Sequence, residues 1–374
     1  MAILSQSVFA RSLVLLLNLA VSHGSAFPDP SEAACVAPES ADADRVFEGV
    51  EKRIELRFIV AEDDSRGLRA FPRTTLDEIC DAAKCTIIHS ELDTCFDSYI
   101  LSESSLFVFR DRLMIKTCGT TLPLNAVSTI ISAAIYRGFE LLDMTYSRSS
   151  FVFPDLQLFP HDSLDNELKY LDNIQGLSNI ALDNESFILG STSGPYWLVH
   201  TKRFIERTTP SSQVMVDCIM TGLSANARSL YWKDNTVTLT ENDRIMSRTI
   251  ESIDSSLRVV GKAFDPCGFS ANAHGADNED YMTVHVTPEE SFSYASVETV
   301  LNNPATSDVT SLIENVIRVF SPERLIVTIF AREVNDFVLP IVSGYTAQTT
   351  DRRPVSACAT RTEAVAIVFF RPNP

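Results

Sequence analysis

The chain has 374 residues, of which 45% are hydrophobic and 21% are charged, and its formal net charge is −18 at pH 7. This is the composition of an ordinary globular protein, and the length suffices for one large domain or for two related halves. The negative charge, without a dense Lys/Arg stripe, argues against nucleic acid as a partner. The negative charge would suit the binding of a cationic small molecule. It is explained equally well if the chain is simply a soluble acidic protein.

The first 26 residues have the three parts of a targeting segment. Arg11 precedes the apolar run 12–21, and the small residues Gly24 and Ala26 fit a signal-peptidase cleavage site. The apolar run is too short to span a membrane. A mis-assigned start or a disordered extension is the alternative interpretation of residues 1–26.

Residues 27–44 are rich in Pro, Ala, Ser and acidic residues, which predicts a linker. The folded domain is expected over residues 45–374. No long apolar run follows the first 26 residues, so we expect no contact of the mature protein with a membrane.

The eight cysteines are scattered along the chain, which does not favour a disulfide-stapled scaffold. Cys80 and Cys85 lie close in sequence, but no second cysteine pair or histidine cluster accompanies them. We therefore predict no metal site.

The folded part shows strand and helix patterns in turn. Apolar and charged residues alternate in the second half of 45–60, which predicts a half-buried strand. The pattern over 74–83 predicts a helix with Thr74 or Thr75 as its N-cap. The other elements expected in the first half are strands at 86–89, 99–109 and 113–117, a helix at 124–136, and strands at 186–189 and 196–200.

The predicted strand 99–109 contains a polar interruption. Residues 103–105, Glu-Ser-Ser, lie among apolar residues, and buried polar groups cost stability unless something satisfies them. If the chain turns about Asp111, Ser104 lies opposite Cys118, with Cβ atoms about 5 Å apart. This pairing depends on the register, and a slip of one residue would remove it.

The second half repeats this alternation loosely. A hairpin that turns at 277–278 pairs Ser270 with His285. The other expected elements are hairpin strands within 264–273 and 281–287, a helix at 307–320, and strands at 325–330 and 364–370. Two similar halves of this kind indicate stacked sheets with helices outside.

Each of these residues has an ordinary interpretation: an inert buried thiol, a core histidine or a strand-edge serine. Together they fit one chemistry. The Ser104 hydroxyl can attack the carbonyl of Glu103, and a base can then remove the Ser104 Cα proton so that the chain breaks by elimination. Hydrolysis of the resulting dehydroalanine leaves a pyruvoyl group. His285 suits the base, and Ser270 can donate a hydrogen bond to the intermediate.

A pyruvoyl ketone can form a Schiff base with a substrate amine and act as an electron sink for decarboxylation. Cys118 could then return a proton to the substrate carbon.

These residues and their neighbours resemble the eukaryotic S-adenosylmethionine decarboxylases. The resemblance extends from Arg45 to the C-terminus, with its motifs in the family's order. The matching segments are 47–49 with 51–52, 101–105, 116–121, 264–270, 284–289 and 292–299. The resemblance implies an α+β fold, a four-layer α/β/β/α sandwich of two similar halves.

The family resemblance implies a proenzyme that cleaves itself between Glu103 and Ser104. The small chain would end at Glu103, and the large chain would begin with the pyruvoyl group made from Ser104. The enzyme would decarboxylate S-adenosylmethionine for spermidine and spermine synthesis, with the small chain as its partner. The alternative is a non-catalytic paralogue that activates a catalytic subunit, and retention of Cys118, Ser270 and His285 argues against it. A secreted binding protein with disulfides is favoured only by the first 26 residues.

The resemblance also implies further site residues. Aromatic faces suit both adenine and a sulfonium cation, and a carboxylate can accept hydrogen bonds from two ribose hydroxyls. The implied residues are Glu48 and Glu51 as active-site acids, Phe47 and Phe264 as the rings around adenine, Glu289 as the ribose-binding acid, and Glu103 as a further substrate contact.

Animal members of the family are activated by putrescine, a diamine, bound at a buried acidic site. Here Gln213 and Met215 stand at two of that site's polar positions, while Asp217 remains acidic. Arg53 replaces an apolar residue of the diamine-activated members. The other residues that fit this network are Glu55, Lys116 and Glu298. We therefore predict an enzyme that does not require putrescine, with Arg53 supplying the positive charge.

The resemblance implies a cytosolic protein, since family members act where their substrate is made. Entry into the secretory route or a plastid through residues 1–26 is the alternative.

Overall fold

The structure is a computed structural model. It describes residues 48–174, 181–206, 213–302, 304, 306–331, 344–353 and 364–372. The predictions for 1–26 and 27–44, and the predicted adenine contact of Phe47, lie outside these residues. In the described ranges, no helix combines the length and apolar character needed to cross a membrane.

The first half contains strands β1 to β8 and helices α1 to α3. Their bounds are β1 Lys52–Ile59, α1 Arg73–Ala82, β2 Ile87–Leu92, β3 Asp97–Leu101, β4 Ser104–Val108, β5 Arg112–Thr117, α2 Pro123–Tyr136, β6 Glu140–Ser149, α3 Leu164–Asp172, β7 Asp183–Gly190 and β8 Tyr196–Arg203.

The second half contains strands β9 to β16 and helices α4 to α6. Their bounds are β9 Gln213–Thr221, α4 Ala225–Leu230, α5 Leu239–Glu251, β10 Arg258–Ala263, β11 Phe269–His274, β12 Tyr281–Thr287, β13 Tyr294–Asn302, α6 Thr306–Phe320, β14 Arg324–Ala331, β15 Tyr345–Arg353 and β16 Ala364–Pro372.

The two halves repeat one sheet topology. The first sheet has the order β2-β3-β4-β5-β1-β6-β8-β7, and the second has the order β10-β11-β12-β13-β9-β14-β16-β15. When strands are counted from the start of each half, the two orders are identical. This confirms the prediction of two similar halves.

Helices cover the outer face of each sheet. Apolar side chains of α1 and α2, such as Ile79 and Val127, share one core with Ile54 and Leu56 of β1. A second core joins α5 and α6 to the other sheet. The inner faces meet each other, where Phe107 of the first sheet packs on Tyr281 of the second with ring centroids 4.6 Å apart. The four-layer α/β/β/α sandwich is therefore confirmed.

The charged face of β1 differs from the prediction of a half-buried strand. Arg53 is buried, and its guanidinium pairs with Glu298 of β13 in the second sheet. The alternation of charged and apolar residues is real, but the charged face meets a second sheet instead of water. A strand pattern alone does not distinguish these two environments.

The predicted continuous strand 99–109 is wrong. The chain forms two antiparallel strands, β3 and β4, and Leu101 pairs with Ser104 across a turn at 102–103. Glu103 therefore lies in a hairpin turn, and Ser104 and Ser105 are the first residues of β4. Ser104 has a φ of 124°, a conformation that residues other than glycine rarely adopt.

The predicted N-cap of the first helix is also wrong. Helix α1 begins at Arg73 after Pro72, and no side chain caps it. Proline preorganises the start of a helix by fixing φ. The other predicted strands and helices are confirmed to within a few residues at their ends.

Gly261 of β10 allows α5 and a neighbouring ring to approach closely. A Cβ atom there would lie 2.2 Å from the Phe269 ring and 2.8 Å from Ser247 Oγ. We expect Gly261→Ala to lower the free energy of unfolding by about 1–3 kcal/mol because the core would be overpacked. Urea unfolding monitored by circular dichroism measures this. Gly194→Ala is the control, since the nearest atom to its Cβ is 4.0 Å away, and an equal loss in both variants would contradict the packing argument.

Candidate active site

The turn between β3 and β4 meets the end of β5. The Cys118 backbone N–H donates to the Glu103 carbonyl oxygen at 3.1 Å. The Cys118 Sγ lies 3.6 Å from the same oxygen and 3.9 Å from Glu103 Oε2. The backbone N–H and the thiol of Cys118 thus both contact the carbonyl oxygen of the peptide bond that is predicted to break.

The predicted pairing of Ser104 with Cys118 is off by one residue. Ser104 pairs with Thr117, and Val108 pairs with Leu113. The register is displaced because the turn between β4 and β5 is centred half a residue earlier than Asp111. As a result Cys118 lies just beyond the ladder, beside Glu103, and it still contacts the Ser104 side chain.

Glu51 links the serine to the second sheet. The Ser104 hydroxyl donates to Glu51 Oε1 at 3.1 Å. The same Glu51 oxygen lies 3.6 Å from His285 Nε2, and Glu51 Oε2 lies 3.5 Å from the Lys116 ammonium. Glu51 is buried and touches each of these groups through its carboxylate.

The pairing of Ser270 with His285 across β11 and β12 is confirmed. Ser270 Oγ lies 2.9 Å from His285 Nδ1, and Thr283 Oγ1 lies 2.9 Å from Nε2. Burial lowers the pKa of His285 to about 4, although the Glu51 charge acts in the opposite direction. The imidazole is therefore neutral near pH 7 and can accept a proton.

Sequence reasoning missed three polar residues around this histidine. Ser105 Oγ donates to Asn272 Oδ1 at 2.7 Å and lies 3.4 Å from His285 Nε2, and Thr283 donates to Ser105 at 3.1 Å. Asn272 and Thr283 are each two residues from Ser270 or His285 along a strand. Because side chains on one face recur every second residue, this spacing was the signal that could have identified them.

Glu48 accepts hydrogen bonds from the backbone around the site. Its carboxylate accepts hydrogen bonds from the N–H groups of Val50 at 3.0 Å and Phe153 at 2.7 Å. Its carbonyl accepts the Gly119 N–H at 2.8 Å. Burial raises the pKa of Glu48, and the two backbone donors oppose this shift.

The thiol of Cys118 is held in its protonated form. Burial raises its pKa well above the ordinary value, and the nearby Glu103 and Glu51 carboxylates raise it further. Burial also raises the pKa of Glu103. A protonated thiol is the form that can donate a proton.

The two predicted substrate residues of the second half flank one hairpin: Phe264 precedes β11, and Glu289 follows β12. The Phe264 N–H donates to the Gly268 carbonyl at 3.0 Å. Glu289 lies near Cys267, whose pKa is raised to about 11 by burial and by the Glu289 charge. Glu289 Oε2 is buried without a hydrogen-bond partner among the described residues, so it is able to accept a ligand hydroxyl.

A charged network lies between the sheets behind this site. The Lys116 ammonium is 3.1 Å from Asp217 Oδ2 and 3.1 Å from Glu298 Oε2. Burial raises the pKa of Asp217 to about 7. Burial also acts to raise the pKa of Glu298, but attraction to Arg53 and Lys116 lowers it to about 2.

The chain matches known proteins over most of its length. Residues 44–354 match a family model described as adenosylmethionine decarboxylase. The S-adenosylmethionine decarboxylase proenzyme of Caenorhabditis elegans is 35% identical over 306 residues, which cover 80% of each chain. The proenzyme of Catharanthus roseus is 35% identical over 290 residues, 76% of this chain and 79% of that protein.

A solved structure shares the fold. The crystal structure of the Trypanosoma brucei AdoMetDC-delta26 monomer aligns with a TM-score of 0.53 and 25% sequence identity. The alignment covers 72% of this chain and 99% of that chain.

Acid should destabilise the fold through the buried histidines. An unfolded histidine takes up a proton near pH 6.5, whereas burial keeps folded His285 neutral until about pH 4. His285 therefore contributes stability above pH 6.5 that is lost as the pH falls to about 4. We expect His285→Gln to reduce this acid-induced loss by about 3 kcal/mol, at about 1.4 kcal/mol per pKa unit.

Urea unfolding at pH 7 and pH 4 measures this difference. His200→Gln is the matched variant, since burial also lowers the pKa of His200 to about 4. Both variants should show the reduced acid sensitivity. A wild-type acid dependence in His285→Gln would contradict the neutral buried imidazole.

Proposed function

The chain belongs to the adenosylmethionine decarboxylase family and decarboxylates S-adenosylmethionine, and from that premise we propose that it makes its own pyruvoyl cofactor from Ser104. The proposed cleavage lies between Glu103 and Ser104. The folded domain would begin near residue 45 and work in the cytosol, with residues 1–26 as a targeting segment in the alternative.

Cleavage would begin at the hydroxyl of Ser104. Its Oγ forms a bond to the carbonyl carbon of Glu103 and the C–N bond breaks. The Ser104 nitrogen takes up a proton and becomes a free amine, and an ester replaces the amide. Glu51, which accepts the Ser104 hydroxyl hydrogen bond at 3.1 Å, is placed to take the hydroxyl proton. The Cys118 N–H at 3.1 Å from the Glu103 oxygen would stabilise the negative charge that develops there.

The chain would then break by elimination. A base removes the Ser104 Cα proton, the C–O bond breaks, and Glu103 leaves as a carboxylate at the end of the small chain. Neutral His285, oriented by Ser270, is the group that we assign as this base. Hydrolysis of the dehydroalanine releases ammonia and leaves the pyruvoyl group.

The conformation of Ser104 is the observation that supports this proposal most. Its φ of 124° stores strain at the bond to be broken, in a two-residue turn between paired strands. Ester formation would relieve that strain by converting the peptide bond at this turn.

In turnover, the pyruvoyl ketone would supply the electron sink for loss of CO₂. Glu289, with its unpartnered oxygen, would bind the ribose hydroxyls, and Phe264 with Phe47 would hold the adenine. Cys118, protonated by virtue of its burial, would return a proton to the substrate carbon.

The purified chain should separate into two bands on a denaturing gel. Cleavage before Ser104 divides 374 residues into a chain of 103 and a chain of the remaining 271. Ser104→Ala should give one uncleaved band because it lacks the hydroxyl nucleophile, whereas Ser102→Ala, in the same turn, should still cleave. Identical patterns for wild type and Ser104→Ala would rule out the proposed cleavage.

We also propose that the enzyme does not require putrescine. The Arg53 guanidinium lies 2.7 Å from Glu55 Oε2 and 3.0 Å from Glu298 Oε1, so it balances acids with a cation of the chain itself. Tyr281 donates a hydrogen bond to Glu298 at 2.7 Å in the same cluster. A bound dication would add positive charge to a cluster in which Arg53 already supplies it.

Putrescine should leave the decarboxylation rate of the wild type unchanged. Arg53→Leu should lower the rate, because it leaves two buried carboxylates with less cationic compensation. Putrescine should partly restore the rate of this variant. A CO₂-release assay with and without the diamine measures both effects, and several-fold activation of the wild type would overturn the proposal.

A further inference from the structure

Lys52 is a fully buried lysine on the face of β1 that is directed toward the helices. Its side chain is 0% exposed. Its ammonium donates to the carbonyl of Gly119 at 2.9 Å and to Gln157 Oε1 at 3.0 Å. On this face the neighbouring residues of β1 are Ile54 and Leu56, so packing alone would favour an apolar residue at position 52.

These contacts fix the backbone that carries Cys118. The Gly119 N–H donates to the Glu48 carbonyl at 2.8 Å, and its C=O accepts from Lys52. Gly119 has a φ of 63°, a left-handed conformation that suits glycine. Both polar groups of the residue after Cys118 are therefore held, and Cys118 itself is tied to Glu103 through its N–H.

The charge of Lys52 also acts on the thiol. The carboxylates of Glu103 and Glu51 disfavour a Cys118 thiolate, and Lys52 favours it. Lys52 therefore supplies positive charge on the side of the sheet opposite the Lys116 network.

The groups around Lys52 shift its pKa in opposite directions. Burial lowers the pKa of Lys52 to about 8, and the charges of Cys118, Glu167 and Glu48 raise it while Arg148 lowers it. Because Gln157 is neutral, it does not offset the positive charge of the Lys52 ammonium that acts on Cys118. Of these groups, Arg148 and Glu167 are paired with each other, and Glu48 accepts backbone hydrogen bonds from Val50 and Phe153.

We propose that Lys52 is a positioning residue for Cys118, one that fixes the Gly119 backbone and stabilises the thiolate left after proton transfer. The inference rests on the proposed role of Cys118. In that step the S–H bond breaks, the proton forms a C–H bond with the substrate carbon, and sulfur keeps the electron pair. The ammonium of Lys52 balances the new negative charge until water returns a proton to sulfur.

The test uses the cleaved full-length enzyme and two readouts. Iodoacetamide alkylation of the Cys118 peptide, followed by mass spectrometry between pH 6 and 8, where Lys52 still carries its charge, reports the small thiolate fraction. Lys52→Met should shift this profile upward by about one pH unit, since loss of a nearby opposite charge raises a pKa by that order. Its kcat should fall about tenfold with little change in KM, because the buried Lys52 ammonium is already bonded to Gly119 and Gln157.

Lys52→Arg keeps the charge and should restore most of the kcat. It should also extend activity to higher pH, because Lys52 loses its proton above pH 8 whereas arginine does not. Lys202→Met is the matched control: Lys202 is equally buried and its ammonium binds the carbonyls of Leu171 and Asp172. It should lower stability without moving the alkylation profile.

If Lys52→Met does not fold, Gln157→Glu provides the same test. A carboxylate there would pair with Lys52 and offset its charge at Cys118. It would also give up the hydrogen bond from Gln157 Nε2 to the Gly119 carbonyl, which Lys52 would still hold. The alkylation profile should again move upward. Unshifted profiles in these variants, with wild-type kcat, would overturn the inference, whereas failure of wild type to cleave before Ser104 would instead overturn the proposed function.

Discussion

The attraction of Lys116 to three buried carboxylates is the interaction on which the rest of the molecule depends. Glu51 directly precedes β1 of the first sheet, and Asp217 and Glu298 come from β9 and β13 of the second. Removing these charges from water costs several kcal/mol per ion, so they persist only because they compensate one another. The two sheets cannot slide apart without exposing unbalanced charge in a low-dielectric layer.

This network also determines the geometry of the site. Glu51 is held by Lys116 on one side, and its other oxygen is left for Ser104 and His285. The serine belongs to the first sheet and the histidine to the second. The chemistry proposed for the chain therefore requires that both halves be docked, and the charged layer couples the assembly of the fold to the assembly of the site.

Much of this arrangement could be predicted from the sequence, because periodicity reports local structure. The hairpin of Ser270 and His285 was predictable in register, since its turn is rich in Gly, Asp and Asn. The hairpin of Ser104 was not. The apolar run 99–109 hid a second turn, since nothing in residues 102–103 is a strong turn former.

The contacts of Lys52 could not be predicted from the sequence, for a different reason. Gln157, its partner, is 105 residues away along the chain, and no pattern of spacing encodes such a contact. The alternating face of β1 was visible, but alternation does not reveal whether a second sheet covers it. Long-range packing decided both cases.

The position of the β3–β4 turn in the sheet has a consequence for the mature molecule. Strands β1, β2 and β3 precede the proposed break, while β1 lies between β5 and β6, which follow it. The two chains would be interleaved within one sheet, and they could not separate without breaking its ladder on both sides of β1. Folding of the intact precursor is unimolecular, but refolding after cleavage would require two chains to meet. Once the processed form has unfolded, the rate at which it regains the native state would therefore depend on protein concentration. The precursor folds as one continuous chain, and cleavage removes that covalent link.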